Sequence, residues 1–359
     1  MQRDRLEKAS YGSMLIVRFG ALGDVAMTVP VVYSICAAYP DVRFTMVTGS
    51  APARLFVNAP ANLRVLSYDI RQDYNGFMGA LRLSGELLST GSYDACADLQ
   101  GNRYTFAMAM KLRLKGVQVA RINNDIKDKR QLTRSSNKTM LPLISQRARY
   151  REVFLRLGMT CNEGFESLYG SRKADPADFA AISGPKQAGA KWLAVAPFAK
   201  YPGKIYPIGL MEKVVEEISG HEGVRIFLFG AGAEESAQLE PWAARYAGVV
   251  NVASGNYGFA AELALLNHCD AIVCMDSANM HLASLVKLPA ITIWGATHPY
   301  CGFMGWKQDK ANIIQLNMAC RPCSVFGNKP CKFNDHFCLS GIAPALIIEK
   351  VKSLIFKEK

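Results

Sequence analysis

Met14-Leu-Ile-Val-Arg-Phe-Gly-Ala-Leu-Gly-Asp24 is the stretch on which the fold turns. Met14 to Phe19 is a short, mostly apolar run of strand length that stops at Gly20-Ala-Leu-Gly-Asp24. A helical stretch, Val25 to Tyr39, follows and is closed by Pro40. A strand passing through a glycine turn into a helix is how a βαβ unit opens. The pattern repeats with strand-like runs at Arg43 to Thr48, Leu63 to Tyr68 and Tyr93 to Leu99, with helical segments between them. Such alternation predicts a parallel sheet covered by helices.

The same rhythm restarts after Pro185. Lys191 to Pro197, Val224 to Phe229, Ala271 to Met275 and Ala290 to Trp294 read as strands. Ile208 to Ile218, Ala260 to Asn267 and a segment containing His281 to Leu285 read as helices. Two successive doubly wound halves predict an α/β chain of two Rossmann-like domains facing a cleft. The boundary is expected in the Ala-, Gly-, Pro- and Asp-rich stretch from Ala174 to Ala190. That divides the chain into an N-terminal domain, 1–183, and a C-terminal domain, 184–359, which carries a cysteine-rich tail.

A chain of 359 residues, 50% apolar and 20% charged, has enough apolar surface to bury two cores. Its longest apolar runs, Trp192 to Pro197 and Ile226 to Phe229, fall far short of the ~20 residues needed to span a bilayer. Met1 to Ser13 lacks the apolar centre of a secretory signal, so a cytoplasmic protein is expected. In that compartment the ten cysteines read as reduced thiols or metal ligands. The formal charge of +12 favours polyanionic partners: nucleic acid, anionic lipid surfaces or phosphorylated sugars. Much of that charge lies between Arg121 and Arg156, where Lys127, Lys129, Arg130, Arg134, Lys138, Arg147, Arg149, Arg151 and Arg156 are opposed only by Asp125, Asp128 and Glu152. Ser, Asn and Pro142 interrupt the segment, so its first half reads as a loop: either a solvated surface or an anion-facing loop on the cleft. No nucleic-acid-binding motif accompanies it, and no nucleic-acid partner is expected.

Four motifs could carry chemistry. At Phe19-Gly-Ala-Leu-Gly-Asp24, glycines let a ligand approach the backbone, and Asp24 either caps the helix that follows or serves as a base. The glycine spacing is not the dinucleotide fingerprint. Lys200-Tyr-Pro-Gly-Lys-Ile-Tyr-Pro207 puts Lys204 on a strand-to-helix loop, where an ammonium can meet phosphate. Phe229-Gly-Ala-Gly-Ala-Glu-Glu235 offers Glu234 and Glu235, which either accept from ribose hydroxyls or decorate a first helical turn. Met275-Asp-Ser-Ala-Asn-Met-His281 follows a buried strand and opens a helix, a place where backbone N–H groups and Ser277 can face a diphosphate.

Taken in order, these motifs and Ile293-Trp-Gly-Ala-Thr-His-Pro299 resemble glycosyltransferase family 9, the ADP-heptose:lipopolysaccharide heptosyltransferases. The resemblance runs from Met14 to about Leu339. It implies a GT-B fold, with acceptor on the first domain and nucleotide sugar on the second. It also implies inversion at the anomeric carbon with no cofactor and no catalytic divalent metal. Asp24 matches the general base, with Gly23 beside it at the acceptor. Lys204 matches the lysine on the donor diphosphate, and Glu234 or Glu235 the acid on the ribose. Asp276, Ser277, Ala278, Asn279, Met280 and His281 match the donor loop, although the family usually has glycine where Ala278 stands. Lys127, Lys129, Arg130 and Arg134 are assigned to the anionic acceptor.

The expected activity is transfer of a heptose or similar sugar, from ADP-heptose in particular, to an inner-core lipopolysaccharide acceptor at the inner membrane face. The alternatives are a sugar-nucleotide epimerase of GT-B build and a non-catalytic sugar-nucleotide or glycolipid binder. Cys320, Cys323, Cys331 and Cys338 form a C-x2-C half-site followed by a wider pair; zinc, packed thiols and disulfides all remain open there.

Overall fold

The computed structural model describes residues 11–356, so most of the N-terminal stretch read above as lacking a signal, residues 1–10, lies outside the described residues. The chain forms two compact units. The first comprises residues 11–125 together with Ile144–Leu168. It is built on five parallel strands: β1 (Ser13–Val17), β2 (Arg43–Thr48), β3 (Leu63–Ser67), β4 (Ala95–Asp98) and β5 (Gln118–Arg121), ordered β3-β2-β1-β4-β5. All five residues of β1 are buried, as expected of a central parallel strand covered on both faces. The order reverses beside β1, between β2 and β4, and a doubly wound sheet opens its crevice at such a reversal.

The second unit comprises Ile126–Leu143 and the chain from Tyr169 onward. Its six parallel strands are β6 (Lys191–Ala196), β7 (Val224–Leu228), β8 (Val249–Asn251), β9 (Ala271–Met275), β10 (Ala290–Ile293) and β11 (Ile313–Ile314), ordered β11-β10-β9-β6-β7-β8. Here the reversal falls beside β6, between β9 and β7. Leu193, Val195, Ile226, Leu228, Val273 and Ile291 are fully buried against Met211, Val214 and Ile218 of the helix Ile208–Ser219 and Ile347 and Val351 of the helix Pro344–Ile355. Each buried aliphatic side chain of this kind is worth about 1.5–3 kcal/mol, and a core of this size orders the sheet. The chain is therefore the doubly wound α/β protein with two Rossmann-like units that its strand-helix rhythm predicts.

The details differ in three places. The helix expected over Val25 to Tyr39 is two, Leu22–Ala26 and Val29–Ala38, with Pro30 in the first turn of the second, where its missing N–H costs nothing. The units change over between Leu168 and Tyr169, ahead of the expected stretch. Phe179, placed by the sequence at the end of the first domain, packs edge-on to Trp192 of β6. The first half of the basic segment is not all loop, since Ile126–Leu132 is a helix; the second half carries the helix Gln146–Leu155.

The basic segment also divides between the units. Arg147 and Arg151 pair with Glu163 at 3.1 and 2.8 Å, and Arg149 pairs with Asp125 at 2.9 Å, all within the first unit. Residues Ile126–Leu143 leave that unit and join the second. Lys138 fastens them there, its ammonium donating to the carbonyls of Ala319 (3.3 Å), Cys320 and Pro322 (3.0 Å). The Leu143 N–H adds a bond to the Tyr300 carbonyl at 2.9 Å. Burial among carbonyls lowers the Lys138 pKa from its ordinary value. Among the described residues no helix is long and apolar enough to cross a membrane.

Lys138→Met removes the ammonium and keeps the stem. Amides of residues 133–143 should then exchange roughly ten- to a hundredfold faster, the worth of a lost charge-assisted bond, while β6 to β10 keep their protection. Unchanged exchange in 133–143 would show that Lys138 does not hold this segment.

Candidate functional site

Asp24 stands at the sheet reversal of the first unit, in the short helix Leu22–Ala26 that follows β1. Its Oδ2 lies 2.7 Å from Nη2 of Arg18 and accepts the Ala21 N–H at 3.2 Å. Asp24 therefore does serve its helix as a cap, yet both contacts use one oxygen and Oδ1 is left over. Arg18 is itself fixed, buried to 6% exposure with Nη1 donating to the Leu99 carbonyl at 2.8 Å. The Tyr150 hydroxyl donates to the Asp24 carbonyl at 3.2 Å, and burial pushes that phenol's pKa up, so it stays a donor across the working range. The turn is thus gripped from β4 and from the helix Gln146–Leu155. Gly23 lies inside the helix Leu22–Ala26, next to Asp24.

In the second unit the loops after β6, β9 and β10 bring three groups together. Lys204 ends a 3-10 turn, Pro202–Lys204, and its Nζ lies 3.0 Å from Oδ2 of Asp276, which follows β9. The Thr297 hydroxyl, after β10, donates to the same Oδ2 at 2.8 Å. Asp276 is 4% exposed and Thr297 fully buried, so the carboxylate is held from below while the lysine reaches it from the rim. Lys204 and Asp276 were singled out separately in the sequence; the fold makes them an ion pair at the reversal beside β6.

The remaining donor-loop residues are arranged along the helix Ala278–Leu285. Ser277 is its N-cap, with Oγ accepting the Asn279 N–H at 3.4 Å. Ala278 opens the helix with negative φ, so its methyl imposes no strain where the family usually has glycine. Met280 and His281 are buried, at 0% and 6% exposure. After β7, Glu235 accepts the Ala231 N–H at 2.6 Å and so caps its own helix, whereas Glu234 is exposed. Of the four basic residues assigned to an acceptor, Lys129 lies over the ring of Phe303 at 5.8 Å and Lys127 is exposed. Arg130 and Arg134 line a cavity described below. All four belong to the second unit, not to the N-terminal domain in which the sequence placed them.

Sequence reasoning passed over the supports. Arg18 ends an apolar strand run, and a charge there was the available signal. Thr297 sat inside a quoted motif without a role. Arg321 lay between two cysteines and was masked by them: it is 3% exposed and donates to carbonyls of Gly295, Leu316 and Thr297 and to Oε1 of Gln315. Cys323, Cys331 and Cys320 are partly exposed and Cys338 is buried; all four are free thiols. Among the described residues no group of three or more His, Cys, Asp or Glu is arranged to hold a metal ion.

A two-unit α/β chain, with a carboxylate at one sheet reversal and a lysine–carboxylate pair at the other, has the build of a GT-B glycosyltransferase. The chain belongs to glycosyltransferase family 9 (heptosyltransferase), whose model matches residues 97–333. A lipooligosaccharide heptosyltransferase 2 of Campylobacter jejuni is 31% identical over 87 residues, which is 24% of this chain and spans about a quarter, 26%, of that relative. A family 9 glycosyl transferase from Veillonella parvula superposes with a TM-score of 0.72 at 15% identity, covering 97% of this chain and 98% of the other. The E. coli heptosyltransferase WaaC with ADP does so with a TM-score of 0.64 at 18% identity, covering 95% and 99%. At those identities the likeness speaks to the fold.

His298, next to Thr297, gives the site a pH signature. Burial, with Arg321 nearby, pushes its pKa down to about 4 from 6.5, and its Nδ1 accepts the Tyr300 N–H at 3.1 Å. Between those two values the unfolded chain takes a proton that the folded one refuses. Stability should therefore fall as pH drops from about 6.5 towards about 4, with no contribution from this residue above that window. Denaturant melts of His298→Asn, whose Oδ1 can replace Nδ1, should show a shallower slope there. Equal slopes would contradict the assignment.

Proposed function

We propose that this chain is an inverting glycosyltransferase that moves a heptose, or a closely similar sugar, from a nucleoside diphosphate to a lipopolysaccharide inner-core acceptor. The observation that carries the reading is the Lys204–Asp276 pair with Thr297 at the sheet reversal of the second unit. An ammonium held in place by a buried carboxylate is suited to a diphosphate, whose charge grows as the sugar leaves. ADP is the favoured nucleotide, because relatives bear the name heptosyltransferase and one solved neighbour holds ADP.

In the proposed reaction the acceptor hydroxyl oxygen attacks the anomeric carbon from the face opposite the diphosphate, which inverts that centre. Oδ1 of Asp24, the oxygen not engaged by Arg18 and Ala21, takes the hydroxyl proton. The bond from the anomeric carbon to the diphosphate oxygen breaks, and the electron pair leaves with the nucleoside diphosphate beside Lys204. Glu234, rather than the helix-capping Glu235, is the better candidate for the ribose hydroxyls. Ser277 and Ala278 present backbone N–H groups to the phosphates, with the Asn279 side chain beside them, and Met280 and His281 support that turn from beneath. Gly23 lines the acceptor beside Asp24. No cofactor enters this scheme. Lys127, Lys129, Arg130 and Arg134 attract the anionic acceptor, at the cytoplasmic face of the inner membrane.

Asp24→Asn keeps the size and the cap but cannot accept a proton. Turnover should fall by roughly 10²- to 10⁴-fold while affinity for ADP stays unchanged, read by transfer assay and calorimetry. Near-normal turnover would leave Asp24 as a helix cap only.

A further inference from the structure

The second unit contains a cavity of about 810 Å³ that neither the donor loops nor Asp24 line. One wall comes from the segment 130–137, which crosses into this unit from the middle of the chain; the other comes from the cysteine-rich segment 319–333. Arg130 and Arg134 from the first wall and Lys329 and Lys332 from the second line it together with Thr133 and Asn137, and none of the lining residues is acidic. Four like charges gathered in one open concavity repel one another, and a concave cationic surface focuses anions. Asp335 is not among the lining residues; its Oδ1 accepts the Phe337 N–H at 3.0 Å and lies 3.7 Å from the Cys331 sulfur. Lys138 does not line the site; its ammonium donates to three carbonyls and so ties the two walls together. The cavity is therefore built, with its walls pinned by the fold, and its charge is unanswered by any acid that lines it.

A second feature indicates what carries the anion. Phe333, in the cavity wall, is 59% exposed, and Met140 and Leu141, a few residues beyond Asn137, are 42% and 66% exposed. Exposed apolar side chains beside lysine and arginine are the pattern of a surface that enters a lipid interface.

We propose that this cavity binds the phosphate-monoester headgroup of a lipid, with Phe333, Met140 and Leu141 meeting the bilayer surface around it. The assignment extends the acceptor reading above by giving it a place and a chemistry; transfer and headgroup binding are measured separately, so either can fail alone. The cavity would seat the acceptor's phosphates on the unit that also holds Lys204.

Vesicle flotation tests it, using phosphatidylcholine vesicles with about 10 mol% phosphatidic acid, or with phosphatidylglycerol matched for charge. The wild type should bind phosphatidic acid vesicles roughly tenfold more tightly than phosphatidylglycerol ones, because a monoester offers more charge to converging cations. Replacing Arg130, Arg134, Lys329 and Lys332 by Ser should weaken that binding roughly a hundredfold or more. The pair Lys329→Glu and Lys332→Glu, at exposed positions, should do likewise. A control with Arg103, Lys115, Lys213 and Lys310 changed to Ser, which loses the same charge elsewhere, should bind as the wild type does. Asp24→Asn should also bind normally, which separates this site from the transfer step. Equal loss in the control, equal binding of the two lipids, or undiminished binding by the cavity variants would overturn the proposal. Complete displacement by about 1 mM soluble glycerol phosphate would overturn the assignment to a lipid in favour of a free phosphate ester.

Discussion

The contact between the Lys204 ammonium and the Asp276 carboxylate, at 3.0 Å, organises the second unit's functional edge. It can form only because β6 and β9 are adjacent in the sheet, so that the loops leaving them meet. Asp276, at 4% exposure, would be costly without a partner, and Lys204 and Thr297 supply two. An ion pair of this kind is poor evidence of stability but good evidence of orientation. It holds a flexible four-carbon chain in one direction before any ligand arrives, and so removes part of the entropic cost of binding.

The cysteine-rich segment is the support beneath that pair. The Gly203 carbonyl accepts the Ala296 N–H at 2.8 Å, and the Cys323 N–H donates to the Ala296 carbonyl at 3.0 Å, so the loop after β10 lies between them. Gly327 has φ +77°, and a Cβ there would collide with the stem of Lys204. Ser324 shapes that turn, its Oγ accepting N–H groups from Phe326, Gly327 and Asn328. Burial keeps Cys323 above the ordinary thiol range and pushes Cys338 up to about 11, which favours neutral packed thiols at those two positions. Arg321, buried among carbonyls, then does for this segment what the partly buried Lys138 does for residues 126–143: one cation satisfies several carbonyls that no strand or helix can reach.

Strand positions were legible because parallel strands covered on both faces are near-continuous apolar runs, as in Met14 to Val17 and Trp192 to Ala196. Short edge strands such as Val249–Asn251 and Ile313–Ile314 lack that run and were not read. Asp24, Lys204 and Asp276 were legible as residues, because each sits in a polar motif on the connection from a strand to the next helix. Their partners were not, since Arg18, Thr297 and Arg321 gain their meaning from neighbours that are remote in sequence or on another loop. The basic segment misled for a related reason. Its composition was plain, but nothing local shows that Arg149 would turn inward to Asp125 while Arg130 and Arg134 cross to the other unit.

The central claim is that Asp276 acts through Lys204 on the donor's phosphates. Calorimetric binding of ADP and of adenosine to the wild type, Lys204→Met, Asp276→Asn and the double variant tests it most directly. Each single change should weaken ADP roughly tenfold or more, leave adenosine within about twofold, and the double variant should be no worse than the weaker single one. Losses that add in the double variant, or that fall equally on adenosine, would contradict it.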